Sequence, residues 1–170
     1  IFTISWTNPN DLSGIAGAYC KVGAAPANNT DGTYTAGTTS VDIDMDVLGL
    51  EGEHQVYVWL EDNAGNADHT ACAQGTIRFD DTPPGRVGNL SSNSHTEGAW
   101  SQDNRVTVVW DSAADSGSGL DGYSLLWDQT ASSVPDDSRE LEEGATGTQS
   151  PALAEGAWYF HIRPGDHVNR

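Results

Sequence analysis

Basic residues are scarce in this chain. Seven Lys and Arg stand against 25 Asp and Glu, Lys21 is the single lysine, and the formal charge is −18. A field of that sign repels phosphate backbones and anionic head groups, so no nucleic acid partner is expected. No apolar run approaches the roughly 18 residues of a membrane helix, and no membrane insertion is expected. The five histidines, His54, His69, His95, His161 and His167, lack the His-x-x-x-His spacing of a zinc site, and there is no Cys-x-x-Cys. There is no Gly-x-Ser-x-Gly elbow and no glycine-rich phosphate loop opening a helix, so a hydrolase nucleophile and a nucleotide cradle are both missing. Carboxylates abound but sit in turn sequences, whereas a glycosidase sets two across a cleft. The expectation is a protein that is not an enzyme and requires no cofactor.

What is present is a repeat. Trp110-Asp-Ser-Ala-Ala-Asp115-Ser-Gly-Ser-Gly119-Leu-Asp-Gly122-Tyr123 echoes Trp6-Thr-Asn-Pro-Asn-Asp11-Leu-Ser-Gly14-Ile-Ala-Gly17-Ala-Tyr19. Each copy reads as a strand ending in Trp, an Asp/Ser/Gly turn and a second strand. Glu51-Gly52, Val56-Tyr57-Val58 and Asp62 align with Glu155-Gly156, Phe160-His161-Ile162 and Asp166 at an offset of 104. Further strands are predicted at Ile1–Trp6, Ile15–Val22, Gln55–Leu60, Gly75–Phe79, Val87–Leu90, Arg105–Trp110, Tyr123–Trp127 and Ala157–Arg163, with a weak edge strand near Tyr34. Val41-Asp-Ile-Asp-Met-Asp-Val47 alternates without a break, which predicts a strand with Val41, Ile43 and Met45 inward and a ladder of Asp42, Asp44 and Asp46 outward. Pro164 lacks an amide proton, so the last strand is expected to fray or bulge there.

Strands at this spacing without helical periodicity give an all-β fold class, two tandem antiparallel β-sandwiches. Asp80-Asp-Thr-Pro-Pro-Gly85 is the junction, which places the domains at 1–81 and 82–170. The alignment pairs residue 1 with Arg105 and Asn66 with Arg170. It therefore predicts a first domain lacking its first strand and a second lacking its last, an excerpt of a longer array with an open edge along Trp158–Arg163.

Several segments carry a resemblance: Ser94-His95-x-x-Gly98-x-Trp100-Ser101, the two Trp-to-Asp-Ser-Gly turns, Trp158-Tyr-Phe-His-Ile-Arg163 and Asp62-Asn-Ala-Gly-Asn66. On them the chain resembles the immunoglobulin-like and fibronectin type III-like repeats of bacterial and archaeal secreted or surface proteins. The resemblance implies an extracellular or cell-surface module that spaces, displays, adheres or forms filaments. Its partners would be neighbouring repeats or subunits of the same protein. The alternative is a carbohydrate-binding accessory module of a secreted hydrolase, with glycans as partners.

Four sets of residues are candidates for sites. Asp80, Asp81, Asp115, Asp121 and Asp166 are expected to converge at the pole where the junction enters, a calcium (Ca2+) site, against the plainer reading that each caps its own turn. Tyr57, Trp59, Tyr123, Trp127 and Tyr159 supply aromatic faces that could stack sugar rings, with Trp59 and Trp127 the candidates, against core packing. Asn28-Asn-Thr30 and Asn89-Leu-Ser91 are glycosylation triplets. Cys20 and Cys72, an even pair in an exported β-domain, point to a disulfide. Both flank the strand of Tyr57, however, and two ladder steps of about 4.8 Å exceed the ~7 Å reach of a disulfide, so the bond requires His69–Cys72 to leave the ladder.

Overall fold

The computed structural model describes residues 1–168, with the backbone alone at position 47; Asn169 and Arg170, where the aligned repeat ends, lie outside the described residues. The chain is all-β with antiparallel sheets, none of them closed into a barrel among the described residues. It divides into two compact units, Ile1–Phe79 and a second beginning at Asp80, two residues before the expected boundary.

In the first unit β1 (Phe2–Ser5) pairs with β4 (Ser40–Ile43), while β2 (Ile15–Val22), β3 (Thr33–Ala36), β5 (Gly52–Asp62) and β6 (Ala73–Phe79) form a sheet in the order β3-β2-β5-β6. Phe2 and Ile4 from one sheet and Cys20, Val22, Val56, Val58 and Ile77 from the other meet in one apolar cluster with Ile43 and Met45. Sequence alternation explains this layering, since residues i and i+2 of a strand share a face.

The predicted strand at Val41–Val47 is corrected. It stops at Ile43, and Met45–Leu48 form a single helical turn, α1, closed by bonds from the Leu48 amide to the Asp44 carbonyl and from Leu50 to Met45. Gly49 at φ +63° ends the turn, a conformation glycine takes at no steric cost. Met45 still fills the core, at 1% exposure, but it enters from a helical turn, and no three-carboxylate ladder forms. Asp42 remains on β4, accepting from the Thr3 hydroxyl across the strand pair at 2.7 Å.

The second unit contains β7 (Gly88–Ser92), β8 (Thr107–Asp111), β9 (Leu120–Asp128), β10 (Leu141–Glu142), β11 (Gly147–Gln149) and β12 (Tyr159–Asp166), in two sheets ordered β11-β8-β7 and β10-β9-β12. Their shared cluster is built on Val108, Trp110, Ala113 and Tyr123, with Leu125, Trp127, Phe160 and Ile162 packed against it. Pro164 does not end β12. The strand runs on through Pro164, opposite Tyr123, and is irregular only between Gly165 and Asp166. β12 is an edge strand, and a proline is tolerated at an edge because its missing donor can lie on the side without a neighbour.

Register refines the repeat. β5 pairs with β2 as Tyr19↔Trp59 and Cys20↔Val58, and β12 pairs with β9 as Ser124↔Arg163 and Leu125↔Ile162. With β12 at the 104 offset from β5, β9 therefore lies 105 residues after β2. The extra residue is in the Asp115–Gly119 turn. Gly17 matches Gly122, Ala18 matches Tyr123, and Tyr19 matches Ser124, not Tyr123 as the aligned motifs suggest.

Tyr123 is consequently a core residue, 0% exposed. Its hydroxyl lies 3.0 Å from Ser112 Oγ and accepts from the Ala113 amide at 3.2 Å. Removing it by Tyr123→Phe leaves a buried amide unsatisfied. We expect a loss of about 1–3 kcal/mol in urea unfolding of the second unit, while Tyr159→Phe, on an exposed ring, changes stability by less than about 0.5 kcal/mol.

Candidate metal centre

The carboxylates of Asp80, Asp115 and Asp166, all in the second unit, each present an oxygen within 4.8 Å of the others. Three local structures place them. Asp115 opens the turn after β8, its Oδ1 accepting from the amides of Gly117 at 3.0 Å and Gly119 at 2.7 Å. Asp166 ends β12 at the irregular step, where it pairs with Leu120, and its Oδ1 accepts from the Val168 amide at 2.8 Å. Asp80 reaches across to the same turn, its Oδ2 accepting from the Ser118 amide at 2.5 Å while Oδ1 takes the Thr82 amide at 3.2 Å. Asp115 and Asp166 therefore cap their own turns and converge at the same time; the two readings of these aspartates are compatible.

Gly117 is what allows the approach. A Cβ at this position would overlap the Asp80 carboxylate, so any other residue forces Asp80 away. Neither Gly117 nor Ser118 was singled out in the sequence, although the run Asp115-Ser-Gly-Ser-Gly119 is the signal that a backbone amide nest forms there.

Asp166 is 0% exposed, while Asp80 and Asp115 are half-buried. The neighbouring Ser118 hydroxyl, the Ser118 amide and the Thr82 amide hold the Asp80 carboxyl below the usual carboxylate range, against a smaller opposing effect of desolvation. Like charges at this separation repel, and a hard divalent cation that takes carboxylate oxygens relieves the repulsion directly. Three aspartates supply part of the six to eight oxygens calcium takes, with water or main-chain carbonyls as the usual remainder.

Asp121 and Asp81 fall outside the group of three. Asp121 is engaged elsewhere, with the Arg139 guanidinium Nη1 at 2.7 Å from its Oδ1 and the His167 ring Nδ1 at 3.3 Å. Asp81 is exposed.

The other candidate sites resolve as follows. Cys20 and Cys72 are both free, which corrects the expected disulfide. His69–Ala71 do leave the ladder, as a 3-10 turn ahead of β6 whose His69 amide donates to Asn29 Oδ1 at 3.0 Å, yet the two thiols remain unbonded. Cys20 packs against the core, and burial pushes its thiol up from the ordinary value. Trp59 offers no sugar-stacking face. It is 2% exposed, stacked on Tyr19 at 5.4 Å, with its Nε1 donating to the Asn29 carbonyl at 2.8 Å. The Gly23–Asp31 excursion thus covers this side of the sheet. Trp127 is half-buried against Phe160 at 4.6 Å. Asn28 is exposed and its Oδ1 accepts from Thr30. Asn89 is also exposed, at φ +46°, but its amide nitrogen, the atom glycosylation would use, donates to Asp111 at 2.6 Å.

The chain matches no protein-family model and no curated protein. Function must be read from the geometry.

The Asp80 carboxyl is expected to titrate below the ordinary value of about 3.9 in NMR. A carboxyl with a lowered folded pKa contributes stability that is present above the unfolded pKa and lost as pH falls through the folded one. The second unit should therefore lose stability on acidification below about pH 4, and Asp80→Asn should flatten that dependence. An Asp80 midpoint at or above 3.9 in the native state would contradict the geometry described here.

Proposed function

We propose that this chain is a non-catalytic structural module of an extracellular repeat protein, two immunoglobulin-like or fibronectin type III-like sandwiches whose role is spacing, display or filament formation. The observation that carries the reading is the repetition of one strand plan. The pairs β2–β5 and β9–β12 match residue for residue, including the irregular step that sets Ile15 against Asp62 and Leu120 against Asp166. A plan repeated within one chain in this way suits a module used in series.

Calcium is proposed as the ligand of Asp80, Asp115 and Asp166. An ion there would tie the segment entering the second unit to the turn after β8 and to the end of β12. Binding only the folded form, it would stabilise that form by mass action. The stiffness gained suits a spacer.

The glycan reading is the weaker one, because the aromatic rings named for it do not form a shared exposed face. Of Tyr57, Trp59, Tyr123, Trp127 and Tyr159, only Tyr159 is exposed, at 41%.

Thermal unfolding in excess calcium and in excess chelator tests the proposal. At a hundredfold excess over Kd, a ligand specific for the folded state adds about 2.7 kcal/mol, which for a unit of this size raises Tm by roughly 10 °C or more. Asp166→Asn and Gly117→Ala should both abolish the shift. Identical melting in the two conditions would remove calcium from the reading. Binding on a glycan array would replace the spacer with a carbohydrate-recognition module.

A further inference from the structure

Among the described residues β12 pairs with β9 on one side and with no strand on the other. The first unit shows what belongs at that edge. There β5, the counterpart of β12, lies between β2 and β6. β6 runs antiparallel from Val58↔Ala73 to Gly52↔Phe79. It turns Ala73, Gly75, Ile77 and Phe79 to the same face as Val56 and Val58. Ile77 is itself buried in the core, and Val56, opposite Gly75, is 1% exposed. In the second unit Phe160 occupies the register of Val56 and is only half-buried where Val56 is buried, while Ile162 occupies that of Val58 and is half-buried like it.

We infer that the free edge of β12 is an acceptor for an added β-strand, and that its occupant is an extended segment with the side-chain chemistry of β6. The match is specific. Carried across at the 104 offset, the β6 register sets a Gly75-like residue against Phe160, an Ala73-like residue against Ile162 and an Ile77-like residue against Trp158. Small residues are needed opposite Phe160 because that ring is larger than the valine it replaces and already fills the space beside Trp127 and Trp110, with ring centroids at 4.6 and 6.0 Å. The window also stops in the right place. β6 covers β5 only as far as Val58, so an added strand covers β12 only as far as Ile162 and never meets Arg163 or Pro164, the charge and the proline that protect the rest of the edge. Main-chain hydrogen bonds would supply affinity and the alternate side chains specificity, as in strand addition generally. The inference deepens the repeat-module reading, since a neighbouring repeat is a natural source of such a strand. It is independent of the calcium site.

The test extends the full chain beyond Arg170 with a copy of residues 67–79, which reproduces the spacing between Asn66 and β6. A second extended chain carries the same residues scrambled, and a third carries Phe at the copied Gly75 position. The intact copy is expected to raise the melting temperature of the second unit and to slow amide exchange at Tyr159–Ile162 by about tenfold or more. The scrambled copy and the Phe variant should leave both at the values of the unextended chain. Equal melting and equal exchange in the intact and scrambled extensions would overturn the inference. So would stabilisation that survives the Phe substitution, because it would not come from the β6 register. If the unextended chain sediments as a dimer with those amides already protected, the occupant is a second copy and the inference is again overturned. None of these outcomes bears on the calcium-dependent melting, so the two readings fail separately.

Discussion

One irregular step in a strand pair sets the geometry of each unit. Where β2 meets β5, and where β9 meets β12, the ladder slips by one residue at its end, so that Ile15 faces Asp62 and Leu120 faces Asp166. A bulge of this kind bends the strand that carries it. The extra residue is on the partner strand, Ala16 in β2 and Asp121 in β9, and the aspartate opposite the slip is the last residue of its own strand, beside the turn. In the first unit Asp62 spends its oxygens on the next turn, accepting from the amides of Ala64 and Asn66 and from the Asn66 side chain. In the second unit Asp166, at the same step, converges with Asp80 and Asp115.

The side of the sheet facing away from the core shows how one backbone plan carries two surfaces. In the first unit Tyr19 and Trp59 pair across the strands and are covered by the Gly23–Asp31 excursion, which Lys21 and Asp31 hold with an ion pair at 2.6 Å. In the second unit the corresponding pair is Ser124 and Arg163. Arg163 is tied to Asp137 and Ser124 lies within 3.4 Å of Asp136, so a polar excursion lies over a polar pair. The ordinary rule that large aromatics fill the core holds for Trp110 and Tyr123. It fails for Trp59, which is buried by a loop.

The core itself divides unevenly. β6 gives the first unit a covering strand, and Ile77 closes the cluster over Val56. Across from β12 no strand plays that part among the described residues, and the larger Phe160 and Trp127 occupy the space with each other. Among the described residues the two units therefore differ by two strands: β6 flanks β5 with no counterpart beside β12, and β7 flanks β8 with no counterpart beside β1.

Alternation, turn residues and the internal repeat are local or self-referential signals, and they were enough to determine an all-β chain, the location of most strands, the junction near Asp80 and the aspartates worth watching. Alternation failed at Met45, because a helical turn can point the same side chain into the core and nothing in an alternating run excludes it. The repeat misplaced Tyr123 by one position, because an added residue in a turn leaves the motif recognisable while a one-residue shift moves a side chain to the other face. Of the five aspartates only Asp80, Asp115 and Asp166 converge, and composition had no means of choosing them. That choice depended on an arginine eighteen residues from Asp121 in sequence, on the absence of a side chain at Gly117 and on a slipped ladder step. Each is a contact between segments far apart in sequence, which only the folded chain brings together.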